Sequence, residues 1–279
     1  MEFFAMTKKP ARLLRPLLFV GYLTSFAALL LMSNLARANE VSLAINLGLA
    51  QKEAAEKYKP VVDYLAQATG ERVKLKLNYN SFAHWEKMRR ENYDVVIDNP
   101  AFTAFRTDRM DYTVIGKLPD VLSFTLVSHV DEMMFEPDEL IGRNVASVPS
   151  PSISALRLEQ VFSNPMRQPN YIPVDHYASA LQLIMEGRAI GAMVPTGLLG
   201  SYNNLTSVYT TEQLPAPGVS VSSKVSPDLR NTIREAMLNA HQSEAGRTML
   251  EALNVTQIEA ANNDTYAGLE VLLEGLYGY

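Results

Sequence analysis

Between Asp94 and Asp98 stand three consecutive β-branched residues, Val95, Val96 and Ile97, and this triplet limits the fold more than any other segment. An unbroken apolar run of strand length has no wet face, so it suits a parallel strand covered by helices on both sides. The flanking segments agree with that reading. Val41–Leu49 is a short apolar stretch with Gly48 near its end, which predicts another buried strand. Tyr58, Val61, Val62, Leu65 and Ala66 recur at helical spacing, with Pro60 near the start and Gly70 just past the end. Val73, Leu75, Leu77 and Tyr79 alternate with Lys74, Lys76 and Asn78, which predicts a strand with one solvated face at or near a sheet edge. Phe82, Trp85 and Lys87–Arg90 predict a second helix. Strands alternating with helices make an α/β sheet.

A new unit then begins. Leu122–Val127 is long and apolar enough to pass from one lobe into another. Beyond it the sequence predicts a short helix at Pro137–Leu140, strands at Val145–Val148 and Ile190–Val194, and helices at Ser152–Phe162 and Tyr177–Glu186. Leu214–Val221, punctuated by Pro215, Pro217 and Gly218, should return the chain to the first lobe, where helices near Pro227–Ala240, Glu244–Leu253 and Tyr266–Leu276 would pack. The expected organisation is therefore a first lobe of residues 39–125 and 217–279, and a second lobe of residues 126–216. Two ordered crossings without a Gly/Ser tether make a hinge.

The N-terminus predicts export. Lys8, Lys9, Arg12 and Arg15 precede an apolar run from Leu17 to Met32, and Ala36 and Ala38 sit where signal peptidase cleaves. A leader of residues 1–38 is expected, with the mature chain in the periplasm. Removing it leaves 20 Lys and Arg against 29 Asp and Glu, a formal charge of −9. Such a charge disfavours nucleic acid as a partner. With no cysteine, the chain has no lipid-anchoring cysteine, disulfide or thiolate chemistry. A monomer is expected.

Candidate binding residues cluster at strand-to-helix turns, where open α/β sheets place their ligands. Ser150–Ser154 follows a strand directly and carries Pro151, so the first N–H groups of the next helix could face an anion, or Ser150 or Ser152 could simply cap it. His176 opens a helix after Asp175, as a ligand contact or an exposed first-turn residue. A second turn runs through Asp98, Asn99, Pro100, Ala101, Phe102 and Thr103, with Asn99 as the expected cap. His84, His129 and His241 show no metal spacing, so neither metal nor cofactor is expected. G-x-S-x-G, S-x-x-K and H-E-x-x-H are all lacking, which argues against an enzyme.

The order of these segments resembles the phosphate/phosphite/phosphonate-binding family of ABC importer solute receptors. The likeness runs through Tyr58, Pro60–Leu65, Tyr93–Val96, Ser152–Ser154, His176 and Ser243–Arg247 with Leu250. It implies a type II periplasmic-binding-protein fold, two lobes that close over a small anionic or zwitterionic ligand, and delivery to an ABC permease. A sensor protein of the inner membrane is the alternative partner. It also implies oxyanion contacts from Ser152, Ser154 and His176, with Ile153 standing where the family usually has threonine. Asp98 departs from the family's aromatic or apolar residue. A carboxylate about 4 Å from a bound anion would cost on the order of 4 kcal/mol near a protein surface. Asp98 therefore either points away or meets a cationic group on a zwitterion, with Asn99 and Thr103 beside it.

Overall fold

Two five-stranded sheets with one shared plan carry the described chain. A computed structural model describes Met1 and residues 40–276, apart from Gly48, Ala50, Glu91 and Asn92; the leader and its cleavage site lie outside the described residues. The first half runs β1 (Glu40–Asn46), α1 (Gln51–Lys57), α2 (Lys59–Thr69), β2 (Arg72–Lys76), α3 (Ser81–Arg90), β3 (Val95–Asp98), α4 (Pro100–Arg109) and β4 (Tyr112–Lys117). A short strand β5 (Val121–Leu122) leads into β6 (Phe124–His129), β7 (Asn144–Ser147), α5 (Ile153–Val161), β8 (Asn170–Pro173), α6 (Tyr177–Met185), β9 (Gly191–Pro195) and β10 (Leu205–Thr210). The chain returns through β11 (Leu214–Pro215) to β12 (Gly218–Ser222), α7 (Pro227–Leu238) and α8 (Glu244–Ala252).

The first sheet is ordered β2-β1-β3-β12-β4 and the second β8-β7-β9-β6-β10. In each, three parallel strands are followed by one antiparallel strand in fourth place. That fourth strand is the one a crossing delivers: β6 after β5, and β12 after β11. The crossings themselves pair as a two-stranded antiparallel ladder, Leu214 opposite Leu122 and Pro215 opposite Val121. The mixed α/β architecture, two sheets joined by two crossings, is the one expected from the sequence.

The Val95–Ile97 triplet is fully buried in the middle of its sheet, between β1 and β12. One core, including Leu43, Leu65, Ile97, Val219 and Met249, lies under α2, α7 and α8. A second joins Trp85 and Phe102 from the first half to Phe124, Leu126 and Leu156 from the second, so apolar packing runs continuously past the crossings. Gly218 is needed where β12 passes α4: a Cβ there would sit 2.6 Å from the Thr103 methyl carbon.

Four elements differ from expectation. The strand predicted to reach Tyr79 ends at Lys76, because Asn78 turns to His84 (Nδ2 to Nδ1, 2.8 Å) and Asn80 caps α3 by accepting from the Ala83 N–H at 2.8 Å. The helix expected at Tyr266–Leu276 is instead two 3-10 turns, Asn263–Thr265 and Leu269–Leu273, separated by Gly268 at φ +84°. Both β8 and β10 are edge strands whose largely solvent-facing residues gave no apolar period to read. Among the described residues no helix is long and apolar enough to cross a membrane.

Candidate functional site

The C-terminal ends of β1, β3 and β7 point toward one cavity of about 180 Å³ between the two sheets. Asn46, Ser81 and Asn99 line it from the first sheet's side, and Ser152, Asp175 and His176 from the second's. Leu122 and Pro217, at the crossings, close its base.

The serine turn is built from the backbone outward. Ser152 has extended dihedrals (φ −67°, ψ 150°), and its Oγ accepts from the Ala155 N–H at 3.2 Å and donates to the Val148 carbonyl at 2.7 Å. The capping reading therefore holds for this side chain. Capping leaves the N–H groups of Ile153 and Ser154, ahead of Ala155 in the first turn, for another acceptor. Ser152 lines the cavity, whereas Ser154 is fully buried, 3.0 Å from Ser152 Oγ and hydrogen-bonded to the Tyr177 hydroxyl. Burial raises the Tyr177 pKa against that hydrogen bond, so the phenol stays protonated at neutral pH.

His176 occupies the N-cap position of α6; it is extended (φ −143°, ψ 152°) and its side chain makes no capping bond. The opening N–H groups of α6 are thus not satisfied by a cap. Asp175 is exposed and lines the cavity beside it.

On the first sheet's side, Asn99 caps α4 by accepting from the Phe102 N–H at 2.9 Å, and Pro100 has no N–H to satisfy. Asn46, at the end of β1, has a buried Nδ2 without a hydrogen-bond partner while lining the cavity. A buried unsatisfied donor is costly, and one facing a cavity marks a place for an acceptor. Sequence reasoning missed Asn46, although its position at the end of the first buried strand was the available signal.

Asp98 and Thr103 sit elsewhere than expected for ligand contacts. Asp98 is fully buried and paired with Arg106, Nη1 to Oδ2 at 2.5 Å and Nη2 to Oδ1 at 2.6 Å. His84 Nε2 lies 2.8 Å from Oδ2, and Thr103 Oγ1 donates to Oδ1 at 3.1 Å. Both carboxylate oxygens are therefore committed inside the protein. Arg106 is itself buried, reaching Ser220 Oγ at 3.1 Å and standing 5.5 Å over the Tyr112 ring. Burial alone would raise the Asp98 pKa, but Arg106 and the His84 hydrogen bond outweigh it and hold the carboxyl below its ordinary value. The sequence pattern concealed this because Arg106 stands eight residues downstream, two turns into the helix that Asn99 opens.

Four helix N-termini meet at the cavity: α3 at Ser81, α4 at Asn99, α5 at Ser152 and α6 at His176. Each presents partial positive charge. Among the described residues no lysine or arginine lines this cavity, and Asp175 is the one carboxylate that does. The arrangement suits a small anion held by helix dipoles, N–H groups and neutral donors. Among the described residues no three His, Asp or Glu side chains group as metal ligands.

Comparison with known proteins gives the same direction. No curated protein matches the sequence. A Prochlorococcus marinus protein, PhnD1, solved with methylphosphonate, superposes with TM-score 0.72 at 11% identity over 85% of this chain and 98% of that one. The binding-protein component of a phosphonate ABC transporter from Pseudomonas aeruginosa does so with TM-score 0.69 at 12% identity over 82% and 84%. XAC2383 from Xanthomonas citri, solved with ATP, gives TM-score 0.71 at 12% identity over 85% and 99%. At such identities these likenesses establish the fold. Residues 44–266 match the family described as the phosphonate ABC transporter periplasmic substrate-binding protein, a family of transport receptors and not of enzymes, and the chain belongs to it.

Proposed function

We propose that the mature chain, released after Ala38 into the periplasm, captures a small phosphonate or related oxyanion between its lobes and hands it to an ABC permease. The observation that carries this reading is the convergence of four helix N-termini, contributed by both sheets, on one cavity whose described lining holds no lysine or arginine. In this reading Ser152, His176, Asn99 and Asn46 contact the ligand. Ser154 supports Ser152 from behind, and Asp98 with Thr103 anchors the start of α4 without touching the ligand. The lobes, residues 39–125 with 217–279 and residues 126–216, close about the β5–β11 ladder. The protein works as a monomer. The structure of PhnD1 in complex with methylphosphonate lends that compound as the first probe.

Calorimetric titration of the mature protein with methylphosphonate and inorganic phosphate tests this. Saturable one-to-one binding that weakens in Ser152→Ala is expected; no heat with either ligand would contradict it.

A further inference from the structure

A second cavity of about 390 Å³ adjoins the first and shares Asn46, Ser81, Val148, Asp175 and His176 with it. The first cavity alone, at about 180 Å³, is smaller than ordinary ligand pockets of roughly 300–1,000 Å³. It has room for an oxyanion head with a small substituent, but not for a head and a ring of benzene's size together. The second is well above the roughly 150 Å³ that holds a benzene ring in an engineered protein cavity. Leu49, Tyr79, Phe82, Val148, Pro149 and Val174 give it apolar surface, and Lys52, Asn80 and Ser150 add polar groups beside them. Tyr79 is 73% exposed and Phe82 39% exposed. Tyr79 reaches this place because β2 stops at Lys76; a continued strand would have put it on the face of Val73 and Leu75. Aromatic rings left in contact with water beside a cleft gain most from a flat apolar partner, which they meet stacked or edge-on.

We infer that the ligand carries an aromatic-sized organic group on its phosphonate or phosphate, seated in this second cavity against Tyr79 and Phe82 while the head sits on the helix N-termini. The inference depends on the anion reading of the first cavity. It narrows the substrate class from a bare oxyanion or methylphosphonate to an organophosphonate or phosphate monoester with a ring.

The test compares methylphosphonate with benzylphosphonate by calorimetry on the mature protein, in wild type, Tyr79→Ala and Phe82→Ala. Benzylphosphonate should bind wild type at least tenfold more tightly, and the ratio of the two affinities should fall at least fivefold in Tyr79→Ala and in Phe82→Ala. Because each variant is read as a ratio of two ligands, a general loss of folding cancels. Equal wild-type affinities, or a ratio unchanged in both variants, would overturn the inference and leave the anion site standing. Absence of binding by both ligands would overturn the anion site and the inference together.

Discussion

The turns after β3 and β7 start from the same design, a buried strand, a polar cap and a helix aimed at the cleft, and they spend their polar groups in opposite ways. After β7 the serine turn carries no charge, and its cap, Ser152, faces the cavity. After β3 the turn begins with a carboxylate that never reaches the cavity, because Arg106, His84 and Thr103 fill its acceptor positions. One turn is left available to a ligand. The other is locked to the scaffold, and only its cap, Asn99, lines the cavity. A charged residue at the carboxyl end of a strand is thus not by itself a ligand contact; where its counter-ion lies on the same helix, it anchors that helix.

The contrast breaks most visibly at Arg106. Arg106→Met leaves the buried Asp98 carboxylate without its main partner, and stability should fall by about 3–5 kcal/mol, the usual result of breaking a buried pair. Urea unfolding measures this, and a loss below about 1 kcal/mol would mean that Asp98 is not held as described. Next in size are the changes on the open turn. Ser152→Ala, which removes the cap that holds the open turn in place, and His176→Ala, which removes a side chain lining the cavity, should each weaken methylphosphonate binding by about 1–3 kcal/mol, while unfolding midpoints move far less than in Arg106→Met.

Acid sensitivity should separate the turns further. The Asp98 pKa is depressed in the folded state, so its contribution is fully present above the unfolded carboxyl value of about 3.9 and is lost as pH falls through the lower folded value. Unfolding free energies measured from pH 6 downward should therefore drop less steeply below about pH 4 in Asp98→Asn than in wild type. Parallel curves would place the acid-labile group elsewhere. The same variant should change the affinities for methylphosphonate and aminomethylphosphonate by equal factors, since the carboxylate meets neither; a loss confined to the amino compound would return Asp98 to the cleft. The smallest effect expected is for Thr103→Val, which removes one of several hydrogen bonds to Asp98 and should cost about 1 kcal/mol by thermal unfolding.

Much of the fold was legible because its signals are local. The Val95–Ile97 triplet, the Pro60 and Gly70 punctuation of α2 and the Asn99–Pro100 helix start each act within one element, and each appears where the pattern puts it. The edge strands β8 and β10 escaped because solvent-facing strands have no apolar period. The site was readable only in part for a different reason. Ser152, His176 and Asn99 are at helix starts, where sequence shows the direction of the N–H groups and, for Ser152 and Asn99, the cap as well. The inward turn of Asp98 depends on Arg106, His84 and Ser220, which come from three separate elements and meet only in the packed core. Asn46 and Tyr79 acquire their roles from where strands end, and strand ends are set by side-chain hydrogen bonds such as those of Asn78 and Asn80.

The central claim is that an oxyanion sits across both turns, touching the helix starts of both lobes at once. Backbone amide shifts during a methylphosphonate titration of isotopically labelled mature protein address it directly. The N–H groups of Ile153 and Ser154 on one lobe and Ala101 on the other should shift most and saturate together at one concentration. Shifts confined to a single lobe, or to neither turn, would contradict the account.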